Sequence, residues 1–219
     1  MPQIQSFQGL PTKSICELYH VGDIDCSSHQ DTFSYEGRGL SVSKHPDAWR
    51  RIASGVGGKT YKLTYGGDSN IFYKADTENP RDQILDWCVE NGYTRRVNGW
   101  KASVYDFETS EWRYTLHYSY NDAVQCSEAN IKQDAYIESV DVLRLGEKGK
   151  KYWNDAFSKE PNSATPIEIK GLTPIWFAES HDADGVWWSY ELKPNLLTAP
   201  KGVIFQDKLS GWTVTEEID

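Results

Sequence analysis

The 219-residue sequence lacks the features of a secreted or membrane-embedded protein. No apolar run approaches the roughly 18 residues that a membrane-spanning helix needs. The opening residues, MPQIQSFQGLPTKS, contain neither the basic nor the apolar segment of a secretory signal. We therefore predict a cytoplasmic protein without a membrane partner.

Motifs of several common enzyme classes are also missing. The sequence has no GxxxxGK[ST] phosphate loop, no GxGxxG, no HExxH and no GxSxG. Its four cysteines form no CxxC pair and have no Cys/His spacing typical of zinc sites: Cys16, Cys26, Cys88 and Cys126. We expect reduced thiols and no bound metal.

Acidic residues outnumber basic residues in this sequence. The chain has 23 Lys and Arg against 32 Asp and Glu, a formal net charge of -9. This balance argues against a broad cationic surface along a phosphate backbone, although it leaves nucleic acid open as a catalytic target. Aromatic residues, by contrast, are abundant: nine Trp and thirteen Tyr. Such side chains fill cores and line pockets for flat ligands.

The hydrophobic pattern predicts an α+β fold with a mostly antiparallel sheet and a few helices. We expect one domain over residues 1–219, with a possible insertion at about 93–165. Helices are predicted at 45–54, from Asn79-Pro80 to 91–92, at 121–128 and around 152–153. Strands are predicted at 15–21, 40–43, 60–65, 70–75, 100–107, 111–118, 137–143, 167–169, 174–178, 185–192, 203–205 and 212–214. The strands at 60–65 and 70–75 are predicted to form one hairpin, and those at 100–107 and 111–118 another.

Two neighbouring strands carry the most specific pattern. The first reads Leu18-Tyr19-His20-Val21-Gly22, and the second reads Tyr35-x-Gly37-x-Gly39-Leu40-Ser41-Val42-Ser43. A helix with Asp47-Ala48-Trp49 follows directly. Over residues 15–55, this arrangement resembles the ADP-ribosyltransferase fold in its histidine-containing branch, which includes poly-ADP-ribose polymerases and diphtheria toxin.

The resemblance implies a split-sheet core and NAD as the substrate. His20 would be catalytic and orient a ribose, since an imidazole can donate a hydrogen bond to a hydroxyl group. Glycines would let the backbone approach the nicotinamide amide closely. The implied pocket comprises Tyr35, Gly37, Gly39, Leu40, Ser41, Ser43 and Trp49.

The resemblance also implies a late catalytic carboxylate, which would stabilise the positive charge that develops as nicotinamide leaves. Glu191, in the stretch Asp182–Leu192, is our choice, and Glu179, Asp184 and Glu138 are competing candidates. Trp187 and Trp188 in the same stretch either fill the core or face a pocket.

The predicted function is an NAD-dependent ADP-ribosyltransferase that modifies a macromolecule, protein or nucleic acid, as a toxin or mobile-element effector. The alternative is a non-catalytic acidic binding or inhibitor protein of the same fold. Two departures favour it: Val21 separates His20 from Gly22, and Ser41 stands where the polymerases have tyrosine. An aromatic-rich domain without a small-molecule site is a third interpretation. The pairs Arg50-Arg51 and Arg95-Arg96 are either phosphate contacts or ordinary surface residues.

Overall fold

The structure, a computed structural model, describes residues 10–24, 37–47, 50, 59–75, 81–106, 108–128, 135–188 and 201–217. It has an α+β fold with mostly antiparallel sheets, as predicted. Leu85–Thr173 forms one compact unit, and the described residues before and after it form another. No helix within the described ranges is long and apolar enough to cross a membrane.

The flanking segments, which we call the first unit, contain an eight-stranded sheet in the order β1-β5-β9-β10-β3-β2-β4-β11. All its pairings are antiparallel except that of β5 with β9. The strands are β1 (Thr12–Lys13), β2 (Glu17–Val21), β3 (Gly39–Ser43), β4 (Thr60–Tyr65), β5 (Phe72–Lys74), β9 (Gly185–Trp188), β10 (Lys201–Phe205) and β11 (Trp212–Glu217).

The core of the first unit is a cluster of buried apolar side chains from seven of these strands and from Ile15. Residues two apart on one strand point to the same face, so Leu40 and Val42 of β3 enter the core together. The other members are Leu18, Leu63, Phe72, Trp187, Ile204 and Trp212. Trp187 therefore packs inside this core, and Trp188 is buried as well.

The predicted hairpin of 60–65 and 70–75 is wrong. β4 pairs with β2 and β11, whereas β5 pairs with β1 and β9. Phe72 and Tyr73 are adjacent on β5 and both are buried, so this strand needs cover on both faces of the sheet. β5 hydrogen-bonds to β1 on one edge and to β9 on the other, so the glycine turn after β4 does not decide its pairing.

Residues Leu85–Thr173, which we call the second unit, contain a three-stranded antiparallel sheet in the order β7-β6-β8. The predicted hairpin of 100–107 and 111–118 is confirmed by pairs that run from Trp100 with His117 to Asp106 with Glu111. The strands are β6 (Thr94–Asp106), β7 (Glu111–His117) and β8 (Ala135–Leu145). β6 begins earlier than predicted because its first residues pair with β8.

Three predicted helices are confirmed, namely α1 (Arg81–Glu90), α2 (Tyr120–Glu128) and α3 (Glu147–Ala156). The end of α1 shows why a glycine after a helix is a reliable signal in the sequence. Gly92 adopts φ +76°, its amide donates to the carbonyl of Val89, and the Tyr93 amide donates to the carbonyl of Cys88. This is the glycine-dependent motif that closes many helices.

The strands predicted at 167–169 and 174–178 are wrong, because Pro166–Ser180 forms one helix, α4. Thr165 and Glu168 cap its start reciprocally: the Thr165 amide lies 2.7 Å from Glu168 Oε2, and the Glu168 amide lies 3.4 Å from Thr165 Oγ1. Buried residues lie all around the helix, so its sequence lacks the period of an amphipathic helix. The spacing Thr-x-x-Glu was the signal available in the sequence.

Candidate functional site

His20 lies near the end of β2 and is 7% exposed. Its Nδ1 is 2.7 Å from the carbonyl oxygen of Ser41, and its Nε2 is 2.9 Å from the carbonyl oxygen of Asp23. Both partners only accept hydrogen bonds, whereas a neutral imidazole has one N–H to donate. The ring therefore satisfies both carbonyls only when both of its nitrogens carry protons.

The two strands of the sequence pattern are neighbours in the sheet. β2 pairs antiparallel with β3, and Tyr19 lies opposite Ser43. The imidazole of His20 also stacks on Tyr61 of β4, with ring centroids 6.4 Å apart and planes inclined by 25°. His20 is therefore held in place from both neighbouring strands.

The glycines of the second strand have structural reasons to be glycine. Gly37 has φ +64°, in the left-handed region that other residues adopt at a cost. A Cβ atom on Gly39 would overlap Val203 Cγ2 and lie 2.7 Å from the carbonyl oxygen of Ile204. The strand that lies so close to Gly39 is therefore β10, which pairs with β3 in the sheet.

The remaining predicted pocket residues of β3 point to opposite faces. The Leu40 side chain belongs to the apolar core, so only its backbone is available to a ligand. Ser41 is partly buried, and Ser43 is fully buried with its Oγ accepting a hydrogen bond 3.1 Å from the His45 amide. Tyr35 and Trp49 lie outside the described residues.

An open cavity of about 490 Å³ begins beside the glycines, at Arg38. Gln206 and Asp207, which directly follow β10, also line it, together with Glu179 of α4. The Arg38 guanidinium lies 2.9 Å from Glu179 Oε1. This cavity therefore contains a carboxylate whose charge is balanced by one arginine.

The four candidate carboxylates have different surroundings. Glu191 lies outside the described residues. Glu179 faces the cavity just described. Asp184 accepts a hydrogen bond from the Ile71 amide at 2.6 Å, a contact that ties β9 to the start of β5. Glu138 belongs to the sheet of the second unit, where it lies 2.8 Å from Lys101 Nζ.

The sequence interpretation overlooked Lys201, the first residue of β10. It lies between Ser43 of β3 and Trp188 of β9 in the sheet. Burial lowers the pKa of its amine from 10.5 to about 8, because a low-dielectric environment disfavours the charged form. A lone lysine heading an apolar strand, KGVIF, is the pattern that could have identified it.

The described cysteines differ in burial: Cys16 is exposed, Cys126 is partly buried and Cys88 is buried. Burial raises the pKa of the Cys88 thiol to about 12, which keeps it protonated and unreactive. Within these ranges, no group of three or more His, Cys, Asp and Glu side chains is arranged to hold a metal ion.

The chain was compared with family models, curated proteins and solved structures. None of the three comparisons finds a match.

Proposed function

We propose that the protein is an NAD-dependent ADP-ribosyltransferase that transfers ADP-ribose to a macromolecule. The observation that carries the proposal is the hydrogen bond of 2.7 Å between His20 Nδ1 and the Ser41 carbonyl. It joins the two strands whose sequences resemble the transferase motifs. The cavity lined by Arg38 and Glu179 adds support, since it offers room for a ligand beside the glycine segment.

In the proposed reaction, the bond between C1 of the nicotinamide ribose and the nicotinamide ring nitrogen breaks, and the electron pair leaves with nicotinamide. An acceptor nucleophile then bonds to the same carbon and gives up its proton. A carboxylate stabilises the positive charge on the ribose between these events. We assign this role to Glu191 and orientation of a ribose to His20.

His20 must exchange a partner to act in this way. Its Nε2 is 2.9 Å from the Asp23 carbonyl, and Nδ1 is held by Ser41. A ribose hydroxyl would therefore replace the Asp23 carbonyl at Nε2, while the bond to Ser41 keeps the ring oriented.

The test measures nicotinamide release from NAD, together with transfer of labelled ADP-ribose to a cell lysate. We expect Glu191→Gln to lower nicotinamide release by about 10²- to 10³-fold, the usual loss when a transition-state charge loses its partner. Glu138→Gln is the matched control because it makes the same change in the sheet of the second unit, at a carboxylate paired with Lys101, and it should keep the activity of the parent. Activity lost in Glu179→Gln and kept in Glu191→Gln would move the catalytic role to Glu179.

The second candidate function is a non-catalytic binding or inhibitor protein, to which the engagement of both His20 nitrogens by backbone carbonyls lends support. Folded protein that neither releases nicotinamide nor labels lysate would establish this alternative over the transferase. A thermal-shift titration with NAD would then show whether the protein still binds the dinucleotide, since a ligand of the native state raises its stability.

A further inference from the structure

Two arginines face each other in the second unit. Arg95 of β6 lies directly opposite Arg144 of β8 in the antiparallel register. Like charges directly opposite on neighbouring strands are destabilising. Both side chains are exposed, so solvent screens part of this repulsion, and an anion bound between them would relieve the remainder.

The other arginines with described side chains have negatively charged partners. Each lies within ion-pair distance of a carboxylate: Arg38 with Glu179, Arg50 with Asp47, Arg96 with Asp86 and Arg113 with Asp106. No carboxylate within the described ranges lies at that distance from Arg95 or Arg144. Among the arginines with described side chains, this exception is therefore confined to Arg95 and Arg144, in a chain with an excess of acidic residues.

These arginines line a cavity of about 180 Å³ in the second unit. Lys150 of α3 contributes a third cation, and the remaining lining residues are Tyr118, Leu145, Pro161, Asn162, Ala164 and Ile169. Lys150 Nζ lies 2.8 Å from Glu147, whose side chain is 91% exposed. The lining of the cavity thus contains three cations, and Glu147, which pairs with Lys150, is not one of the lining residues.

Tyr118 holds Arg144 in position. The guanidinium carbon of Arg144 lies 4.4 Å from the centre of the Tyr118 ring, and the Tyr118 hydroxyl donates to the Leu143 carbonyl at 3.0 Å. Burial raises the pKa of Tyr118 to about 12, so the ring remains a neutral phenol that does not compete for the cations. A guanidinium fixed against an aromatic face is preorganised for a bidentate acceptor.

The geometry points to a binding site for a phosphate group at Arg95, Arg144 and Lys150. Guanidinium groups match phosphate oxygens in pairs, and lysine adds a point charge. The cavity is smaller than an ordinary drug-sized pocket, which suits a phosphate group rather than a large ligand. The ligand is inorganic phosphate or a small phosphomonoester, and binding relieves the repulsion between the two arginines.

Isothermal titration of the full chain with inorganic phosphate tests this site, at constant ionic strength maintained with chloride. We expect saturable binding, which Arg95→Gln and Arg144→Gln each weaken by about 10- to 100-fold, because a hydrogen bond to a charged group is lost. Arg96→Gln is the matched control: it removes the same charge one residue away, from an arginine already paired with Asp86. Its affinity should stay within about twofold of the parent.

A gain of affinity provides an independent check. Glu147→Gln removes the acid that competes for Lys150, so phosphate should bind up to about fivefold more tightly. Titration with ribose 5-phosphate distinguishes the two kinds of ligand. Tighter binding than inorganic phosphate identifies a phosphomonoester, and equal binding identifies the free phosphate ion. Absence of saturable binding, or an equal loss in Arg95→Gln and Arg96→Gln, would overturn the proposal. Preferential binding of citrate over phosphate would overturn it as well.

Discussion

His20 and Ser41 are joined by a hydrogen bond of 2.7 Å between the imidazole Nδ1 and the main-chain carbonyl. Their strands are adjacent, yet residues 25–36, which connect them, lie outside the described part of the chain. The imidazole thus connects the end of β2 to the middle of β3, in the region to which we assign NAD binding.

Replacing His20 by asparagine should destabilise the protein by about 1–3 kcal/mol, because two carbonyls in part-buried hydrogen bonds lose a donor that a shorter side chain does not replace. The measurement is the midpoint of urea unfolding. His117→Asn is the control, since His117 bonds to Thr115 Oγ1 on the surface, and it should cost at most about 1 kcal/mol. Equal midpoints for His20→Asn and the parent would contradict this stabilising role.

Gly39→Ala should destabilise the first unit by at least about 1–3 kcal/mol through overpacking. The new methyl group would meet Val203 Cγ2 and would lie 2.7 Å from the Ile204 carbonyl oxygen, so β3 and β10 would have to separate. Gly66→Ala is the control because its methyl group would lie 3.7 Å from the Gly211 carbonyl oxygen, an ordinary contact. Thermal unfolding of the two variants should differ clearly, and similar melting temperatures would count against a close contact at Gly39.

Lys201 should make stability depend on pH in the alkaline range. Its pKa falls from 10.5 in the unfolded chain to about 8 in the folded one, so the unfolded state binds more protons between these values. Stability should therefore rise as the pH increases from about 8 towards 10.5, and it should be lost as the pH falls through 8.

Urea unfolding of Lys201→Met and the parent over this pH range measures the effect. In Lys201→Met, stability should no longer show the increase with pH that deprotonation of Lys201 causes. In Lys59→Met, this increase should remain. Lys59 is the control because its pKa is raised, mainly by a hydrogen bond to Glu216. If the stability of the parent and of Lys201→Met changes with pH in the same way, the Lys201 amine is not desolvated.

Thr165→Ala should cost about 1 kcal/mol by removing the hydroxyl that caps α4. Its Oγ1 lies 2.9 Å from Glu168 Oε2, and the Glu168 amide lies 3.4 Å from the same hydroxyl. Thr165→Ser keeps the hydroxyl and should retain most of the stability. Loss of helical circular dichroism on heating is the measurement, and an equal loss in both variants would exclude the cap as the cause.

The hairpin and the helix end that were predicted correctly are those whose decisive contacts are local. The turn at 108–110 joins β6 to β7, and Gly92 ends α1, so a few residues determine each outcome. α4 was not predicted because its buried residues lie on all sides, so its sequence has no amphipathic period. The capping pair Thr165 and Glu168 was the local signal for its start. Propensity and period carry little information where a segment is buried all round.

The candidate site was predictable in part. The sequence pattern placed His20 and Gly39 on separate strands, and the structure makes those strands neighbours. It could not show that β10 occupies the space beside Gly39, or that Lys201 is partly buried between β3 and β9. These properties depend on strands that are remote in the chain.

The sequence by itself determined the acidic balance, the α+β class and the locally closed elements such as α3 and the β6–β7 hairpin, because composition and short-range hydrogen bonds settle them. Only the tertiary structure decided the strand order of the large sheet and the opposition of Arg95 and Arg144. Pairing between distant strands depends on which faces can be buried together, and this is a property of the whole core rather than of any one segment.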